Sequence, residues 1–210
     1  MIKAVLFDID GVLLDSFEAN FLFFQDILAH MGHRKPTRRE GRGAFHLPLK
    51  LALKYLSKAE LTEEMKQLAE IVTKVPYHTE LLSEPPYTKE MLEALQKNYK
   101  LGIVTSRSRE SLSKRYFPFS HTEKCFSVRV ALEDCARHKP HPEPLLLATK
   151  RLRLLPGDCV YVGDAHTDIE AGKAAGMKTI LYGGKKNKDA DITTTSFKTL
   201  PALIASLGQS

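Results

Sequence analysis

Apolar and polar positions follow two rhythms along this chain. Short apolar runs, β-branched in part, occur at 3–9 (KAVLFDI), 100–105 (KLGIVT), 158–163 (DCVYVG) and 178–182 (KTILY). A weaker run lies at 125–130 (CFSVRV), and a short one near Ile192. Runs of this length, bounded by polar or turn-forming residues, predict buried β-strands. Between them the apolar positions recur at helical spacing. Met91, Leu92, Ala94 and Leu95 do so within 88–98, and similar patterns cover 142–152 and 167–175. The last opens at Thr167 with Glu170 three residues on, a capping-box spacing, and closes at Gly176, placed to serve as a C′ glycine. Strands alternating with helices predict an α/β fold with a parallel sheet covered on both faces.

Residues 16–85 break that alternation and offer helices only. Phe17, Phe21, Phe24 and Leu28 share one face up to Gly32. Leu49, Ala52, Leu53 and Leu56 form a second face, and Met65, Leu68, Ala69 and Val72 a third. About 70 residues without a strand is far longer than an ordinary connection. The stretch therefore reads as a small helical domain inserted after the first strand. Residues 1–15 and 86–210 then form the core, with Pro85-Pro86 marking the return. No internal repeat is visible.

Composition narrows the classes. The 210 residues suit one core domain with a modest insertion. A hydrophobic fraction of 43% with 27% charged residues excludes wholesale disorder. No stretch approaches the roughly 20 apolar residues of a bilayer-spanning helix, so no membrane partner is expected. Residues 1–10 lack a signal-peptide pattern, and a cytoplasmic location is expected. Cys125, Cys135 and Cys159, odd in number and widely spaced, fit reduced thiols. The net charge of +6 suits a nucleic acid or a phosphorylated small molecule. The basic residues are dispersed, there is no Trp, and no aromatic–basic alternation occurs, which argues against nucleic acid as the main partner. The run GGKKNKD (183–189) reads as a solvated basic loop. Monomer and homodimer both fit.

The chemistry concentrates at predicted strand ends. FDIDGVLLDS (7–16) places Asp8 and Asp10 two apart where the first strand stops, with Gly11 allowing the backbone to bend around them. Ligands of parallel α/β sheets bind outside the carboxyl ends of strands. Two carboxylates there repel unless a cation joins them, and a hard, oxygen-liganded ion such as Mg²⁺ meets that need. An isolated pair of this kind is commonly only an acidic turn. Here GDAHTD (163–168) follows another strand and adds Asp164 and Asp168. Asp168 also suits a helix N-terminus. IVTSR (103–107) presents Thr105 and Ser106, whose hydroxyls and N–H groups suit phosphate oxygens or a helix cap. HKPHPEP (138–144) presents Lys139 ahead of prolines that fix its backbone. An ammonium held beside four acids is what a transferring phosphoryl group requires.

These four stations, in this order, resemble the phosphatase branch of the haloacid dehalogenase superfamily over nearly the whole chain. The matching motifs are D-x-D-G at Asp8 and Asp10, the strand-end Thr105, Lys139 in K-P-x-P, and G-D-x-x-x-D at Asp164 and Asp168. The insert resembles the small helical cap of phosphoglycolate-phosphatase-like and β-phosphoglucomutase-like members. The resemblance implies a Rossmann-like three-layer sandwich and a Mg²⁺-dependent phosphatase of small phosphorylated metabolites. It implies that Asp8 is the nucleophile, forming an aspartyl-phosphate, and that Asp10 is general acid and then general base. Mg²⁺ would be held by the Asp8 carboxylate, the Asp10 carbonyl and Asp164, with Asp168 supporting. Thr105, Ser106 and Lys139 would bind phosphoryl oxygens, and closure of the insert would exclude bulk water.

The chain departs from the family in places. The insert carries His46-Leu47-Pro48 after a basic RREGRG (38–43) in place of a G-L-P-like turn. Arg38, Arg39, Arg42, His46 and Lys50 are therefore candidate specificity contacts, or a solvated basic face. SEPPYTKE replaces the usual proline–glycine turn before 88–98. Arg107 and Arg109 lie at the site mouth or face water, His166 is a candidate support for the acids, and Cys159 packs inside its strand. A phosphomutase using the same intermediate and a non-catalytic binding protein are the alternative readings. A dehalogenase needs neither Asp10 nor Asp164.

Overall fold

The computed structural model describes residues 1–59, 62–184 and 187–208, with no side-chain description at 62, 64 and 65. The chain divides into two compact units, Met1–Asp15 with Glu84–Ser210, and Ser16–Ser83.

The first unit is built on a six-stranded, all-parallel sheet. Its strands are β1 (Ala4–Phe7), β2 (Lys100–Val104), β3 (Val128–Val130), β4 (Cys159–Gly163), β5 (Lys178–Tyr182) and β6 (Ile192–Thr194), in the order β3-β2-β1-β4-β5-β6. This is the Rossmann-like doubly wound order, with a crevice outside the strand ends where the order reverses. All residues of β1 and β4 are buried, as expected of strands covered on both faces. Leu6, Val104, Leu145, Ala148 and Tyr161 belong to the cluster on one face. There α8 (Glu143–Leu152) and α9 (His166–Ala174) cover the sheet, while α5 (Thr88–Gln96) packs on β2 and against α10 (Leu200–Leu207). After β2, two short helices, α6 (Arg109–Ser111) and α7 (Phe117–Ser120), flank a π turn at Leu112–Tyr116.

The second unit holds α1 (Phe17–His30), α2 (Arg38–Ala44), α3 (Leu49–Ser57) and α4 (Thr62–Lys74). Phe24, Leu28, Ala52, Leu53, Leu56 and Leu68 lie in one apolar cluster. α2 has the full capping box expected of Thr37 with Glu40.

Two local expectations are corrected. α9 begins earlier than Thr167: its N-cap is Ala165, and the residue returning to the cap N–H is Asp168, not Glu170. In α4 the face toward the cluster runs through Leu68 and Ile71, with the expected Val72 packed against it and Val75 following just beyond the helix, while Ala69 is exposed. A short alanine contributes little to burial, so the larger side chains set the phase of the helix. The Met65 side chain lies outside the description, as do Lys185 and Lys186 of the basic loop. In the turn before α5, Tyr87 itself takes a left-handed φ of 68°, the conformation a glycine usually supplies.

Candidate active site

Strand register brings the acidic motifs together. Phe7 pairs with Ile103 on one side and Val162 on the other. The first residues beyond the ends of the three strands, Asp8, Thr105 and Asp164, therefore emerge at one carboxyl edge, on either side of the reversal in strand order. The Asp8 N–H donates to Val162 O at 2.9 Å, and the Thr105 N–H to Val130 O at 3.0 Å. These bonds carry the ladder to the last residue before the chemistry. Gly11 has φ +78°, and a Cβ there would collide with the Asp164 carboxylate. Its lack of a side chain lets the acids converge. Gly163 does the same for Asp168, whose side chain occupies the space a Cβ would take.

Lys139 sits at the centre. Its Nζ lies 2.8 Å from Asp8 Oδ2, 2.7 Å from Asp168 Oδ1 and 2.9 Å from the Tyr161 hydroxyl. Three donors on a tetrahedral ammonium meet three oxygens. The Tyr161 hydroxyl is 3.1 Å from both Val104 O and Asp168 Oδ1, so the lysine is braced from below by β4. Asp168 is 1% exposed, and its second oxygen accepts from the Ala165 N–H, which orients it toward the lysine. Asp8 accepts the Ile9 N–H at 2.8 Å on its other oxygen.

The charge balance here favours a cation. Asp8, Asp164 and Asp168 each offer a carboxylate oxygen, and these oxygens lie within 4.8 Å of one another. Burial pushes Asp8 up to about 7; Lys139 draws it back while Asp168 and Asp10 push it further up. Burial pushes Asp164 up to about 8, with repulsion from Asp168 and Asp8 adding to the effect. Burial also works against the charge of Lys139, but Asp168 and Asp8 outweigh it and hold the ammonium well above the usual lysine range. Three carboxylates thus share one ammonium, and a hard divalent ion fits such a donor set.

The remaining candidates are placed as follows. The Asp10 carboxylate is gripped by Arg107, whose Nε and Nη2 lie 2.8 and 2.6 Å from its two oxygens. Arg107 is buried and does not face water. The Thr105 hydroxyl accepts the Arg107 N–H at 3.2 Å, and Ser106 is half-buried beside it. Arg109 is exposed and bonds Asp134 at 2.9 Å, away from the acids. His166 is exposed and lies 3.3 Å from Glu170. Cys159 is buried in β4. Within the helical unit, Arg42 lies 4.7 Å from the centre of the Phe17 ring, and Arg38 pairs with Glu18. Arg39, His46 and Lys50 are exposed.

Sequence reasoning missed two residues, Tyr161 and the partnership of Arg107. Tyr161 reads as one more apolar residue of a strand, although a buried tyrosine hydroxyl requires a partner, and that requirement was the available signal.

A doubly wound sheet carrying this cluster at its carboxyl edge defines a class. A family model described as haloacid dehalogenase-like hydrolase matches residues 5–182, and the chain belongs to that family. It is 34% identical to pyrophosphatase PpaX of Bacillus pumilus over 181 residues, covering 85% of this chain and 82% of that protein. It is 33% identical to phosphoglycolate phosphatase of Xylella fastidiosa over 207 residues, covering 91% and 85%. Among solved structures, β-phosphoglucomutase from Clostridium difficile shares the fold at a TM-score of 0.86 and 22% identity, covering 100% of this chain and 98% of that one. No helix among the described residues is long and apolar enough to cross a membrane.

Proposed function

We propose that this protein is a Mg²⁺-dependent phosphatase of small phosphorylated metabolites, working through an aspartyl-phosphate on Asp8. The observation that carries the reading is the Lys139 ammonium set between Asp8 and Asp168 beside Asp164. An anionic nucleophile can approach an anionic phosphoryl group only where positive charge is fixed close by. The relatives named pyrophosphatase and phosphoglycolate phosphatase support phosphoryl chemistry.

In this reading Asp8 and Asp164 would hold Mg²⁺, with the Asp10 carbonyl and Asp168 supporting, and the ion would offset charge on the phosphoryl oxygens. An Asp8 oxygen attacks phosphorus. The bond from phosphorus to the leaving oxygen breaks, and that oxygen takes a proton from the Asp10 carboxyl group. Water then attacks the same phosphorus and gives its proton to Asp10. The bond from phosphorus to Asp8 breaks, releasing phosphate and restoring the carboxylate. Thr105, Ser106 and Lys139 bind the phosphoryl oxygens. Arg42, His46 and Lys50 contribute to leaving-group choice.

The test is turnover of an aryl phosphate with Mg²⁺ and with EDTA, for wild type and Asp8→Asn. Wild-type turnover should need the metal, and Asp8→Asn should lose on the order of 10⁵-fold, the scale of removing a covalent nucleophile. Undiminished turnover in EDTA, or an active Asp8→Asn, overturns the reading.

A further inference from the structure

Lys139 enters the proposed reaction with no hydrogen to spare. An ammonium has three N–H groups. Those of Lys139 already face Asp8 Oδ2 at 2.8 Å, Asp168 Oδ1 at 2.7 Å and the Tyr161 hydroxyl at 2.9 Å. To bind a phosphoryl oxygen, the lysine has to release one of these partners. The three are unequal. Asp8 and Asp168 offer carboxylate oxygens, whereas the phenol of Tyr161 is neutral, and bonds to ionised acceptors are the stronger ones. Tyr161 is also the partner least harmed by release. Its own O–H lies 3.1 Å from Val104 O and 3.1 Å from Asp168 Oδ1, so it keeps an acceptor after the lysine has turned away. A buried donor with an acceptor at hand carries no desolvation penalty. The weakest of the three bonds is therefore also the one whose loss strands nothing.

We infer that Tyr161 is a positioning residue whose bond to Lys139 is exchanged for one to the phosphoryl group in each turnover. Between turnovers the Tyr161 hydroxyl accepts the third N–H and keeps the ammonium aimed between Asp8 and Asp168. When a phosphoryl group arrives, that N–H passes to a phosphoryl oxygen, and the Tyr161 O–H stays on Val104 O or Asp168. After hydrolysis the bond to Tyr161 forms again, which helps phosphate leave. Tyr161 thus steadies the empty site and loosens the hold on the product. The inference rests on the phosphoryl-binding role of Lys139 proposed above and adds how that binding is regulated.

The test measures binding of inorganic phosphate by calorimetry, with Mg²⁺ present, for wild type and Tyr161→Phe. The substitution removes one oxygen and leaves the ammonium with an unpaired N–H. Its cost at Val104 and Asp168 is the same in the free and bound states and cancels from the affinity. Tyr161→Phe should melt at a lower temperature and yet bind phosphate about fivefold tighter, the fold-change of one hydrogen bond that no longer has to be given up. Product inhibition by phosphate during aryl phosphate turnover should strengthen by the same factor. Removing a residue that only supports the fold, or only fixes the lysine, would leave phosphate binding unchanged or weaken it. Either result overturns the inference. A second arm uses wild type alone. In crystals grown with Mg²⁺, added phosphate should lengthen the Lys139–Tyr161 contact from 2.9 Å to beyond about 3.5 Å, out of hydrogen-bond reach, while the contacts to Asp8 and Asp168 persist. A Tyr161 contact that survives in the phosphate complex overturns the inference. Inactive wild type, with the tighter binding in Tyr161→Phe intact, defeats the proposed reaction and leaves the exchange standing. Active wild type that binds phosphate as well as Tyr161→Phe, or better, defeats the exchange alone. Wild type that binds no phosphate defeats both.

Discussion

Two clusters of the catalytic unit use the same ingredients to opposite effect. At Asp134, in the turn after β3, one carboxylate receives three donors. Ala131 N–H lies at 2.8 Å, Arg109 Nη2 at 2.9 Å and Arg151 Nη2 at 2.7 Å. Burial alone would raise this acid, but Arg151, the Ala131 N–H and Arg109 outweigh it and bring Asp134 down to about 2. At the carboxyl edge of β1 and β4, three acids share Lys139, and Asp8 and Asp164 rise to about 7 and about 8. Oversupplied with donors, an acid is a staple. Undersupplied, a set of acids is destabilising in isolation and ready to receive a cation. Functional sites are where such imbalance is tolerated.

The comparison can be broken at four points. Lys139→Met removes the ammonium from two buried carboxylates. Stability to urea at pH 8 should fall by about 3–5 kcal/mol, the range for stripping one partner from a buried pair, and phosphatase turnover should disappear. A loss under about 1 kcal/mol would show that the ammonium is not what holds the acids together. Asp134→Asn should cost about 2 kcal/mol at pH 7. Because the folded-state pKa is depressed, that stabilisation is present above about 4 and fades as the pH falls toward about 2, so the two melting curves should converge in acid. Asp164→Asn should do the reverse. Its folded-state pKa is raised, so in EDTA the wild type loses stability as pH climbs from about 4 through about 8. The Asn variant should then melt higher at pH 9 and equally at pH 4, and Mg²⁺ should raise the melting temperature of the wild type much more than that of the variant. The smallest effect is expected far from both clusters. Tyr87→Gly relieves a left-handed φ of 68° and should gain about 0.5 kcal/mol, less whatever the Lys198 contact on the Tyr87 ring contributes.

The sequence made the sheet and the acidic motifs legible, because each depends on neighbours close in the chain. β1 is a plain apolar run, and Asp8 and Asp10 follow it directly. Even β3 and β6, three residues each, were marked by weak apolar runs. Pairings across great separations were not legible. Arg107 and Asp10 meet only because β2 lies beside β1. The start of α9 was hidden for a different reason: its N-cap is Ala165, which has no side-chain oxygen to announce it, while Thr167 and Glu170 offered a false match. The left-handed turn at Tyr87 was masked because tyrosine rarely takes that backbone.

The strand order also governs how the protein is made. Ala4 of β1 pairs with Lys100 on one side and Cys159 on the other. At the usual pace of ribosomes, roughly ten to thirty seconds separate synthesis of β1 from that of β4. Through that interval a fully apolar strand waits without one of its two neighbours. The middle of the sheet therefore closes late, and nascent chains stalled before β4 are the species that chaperones would meet.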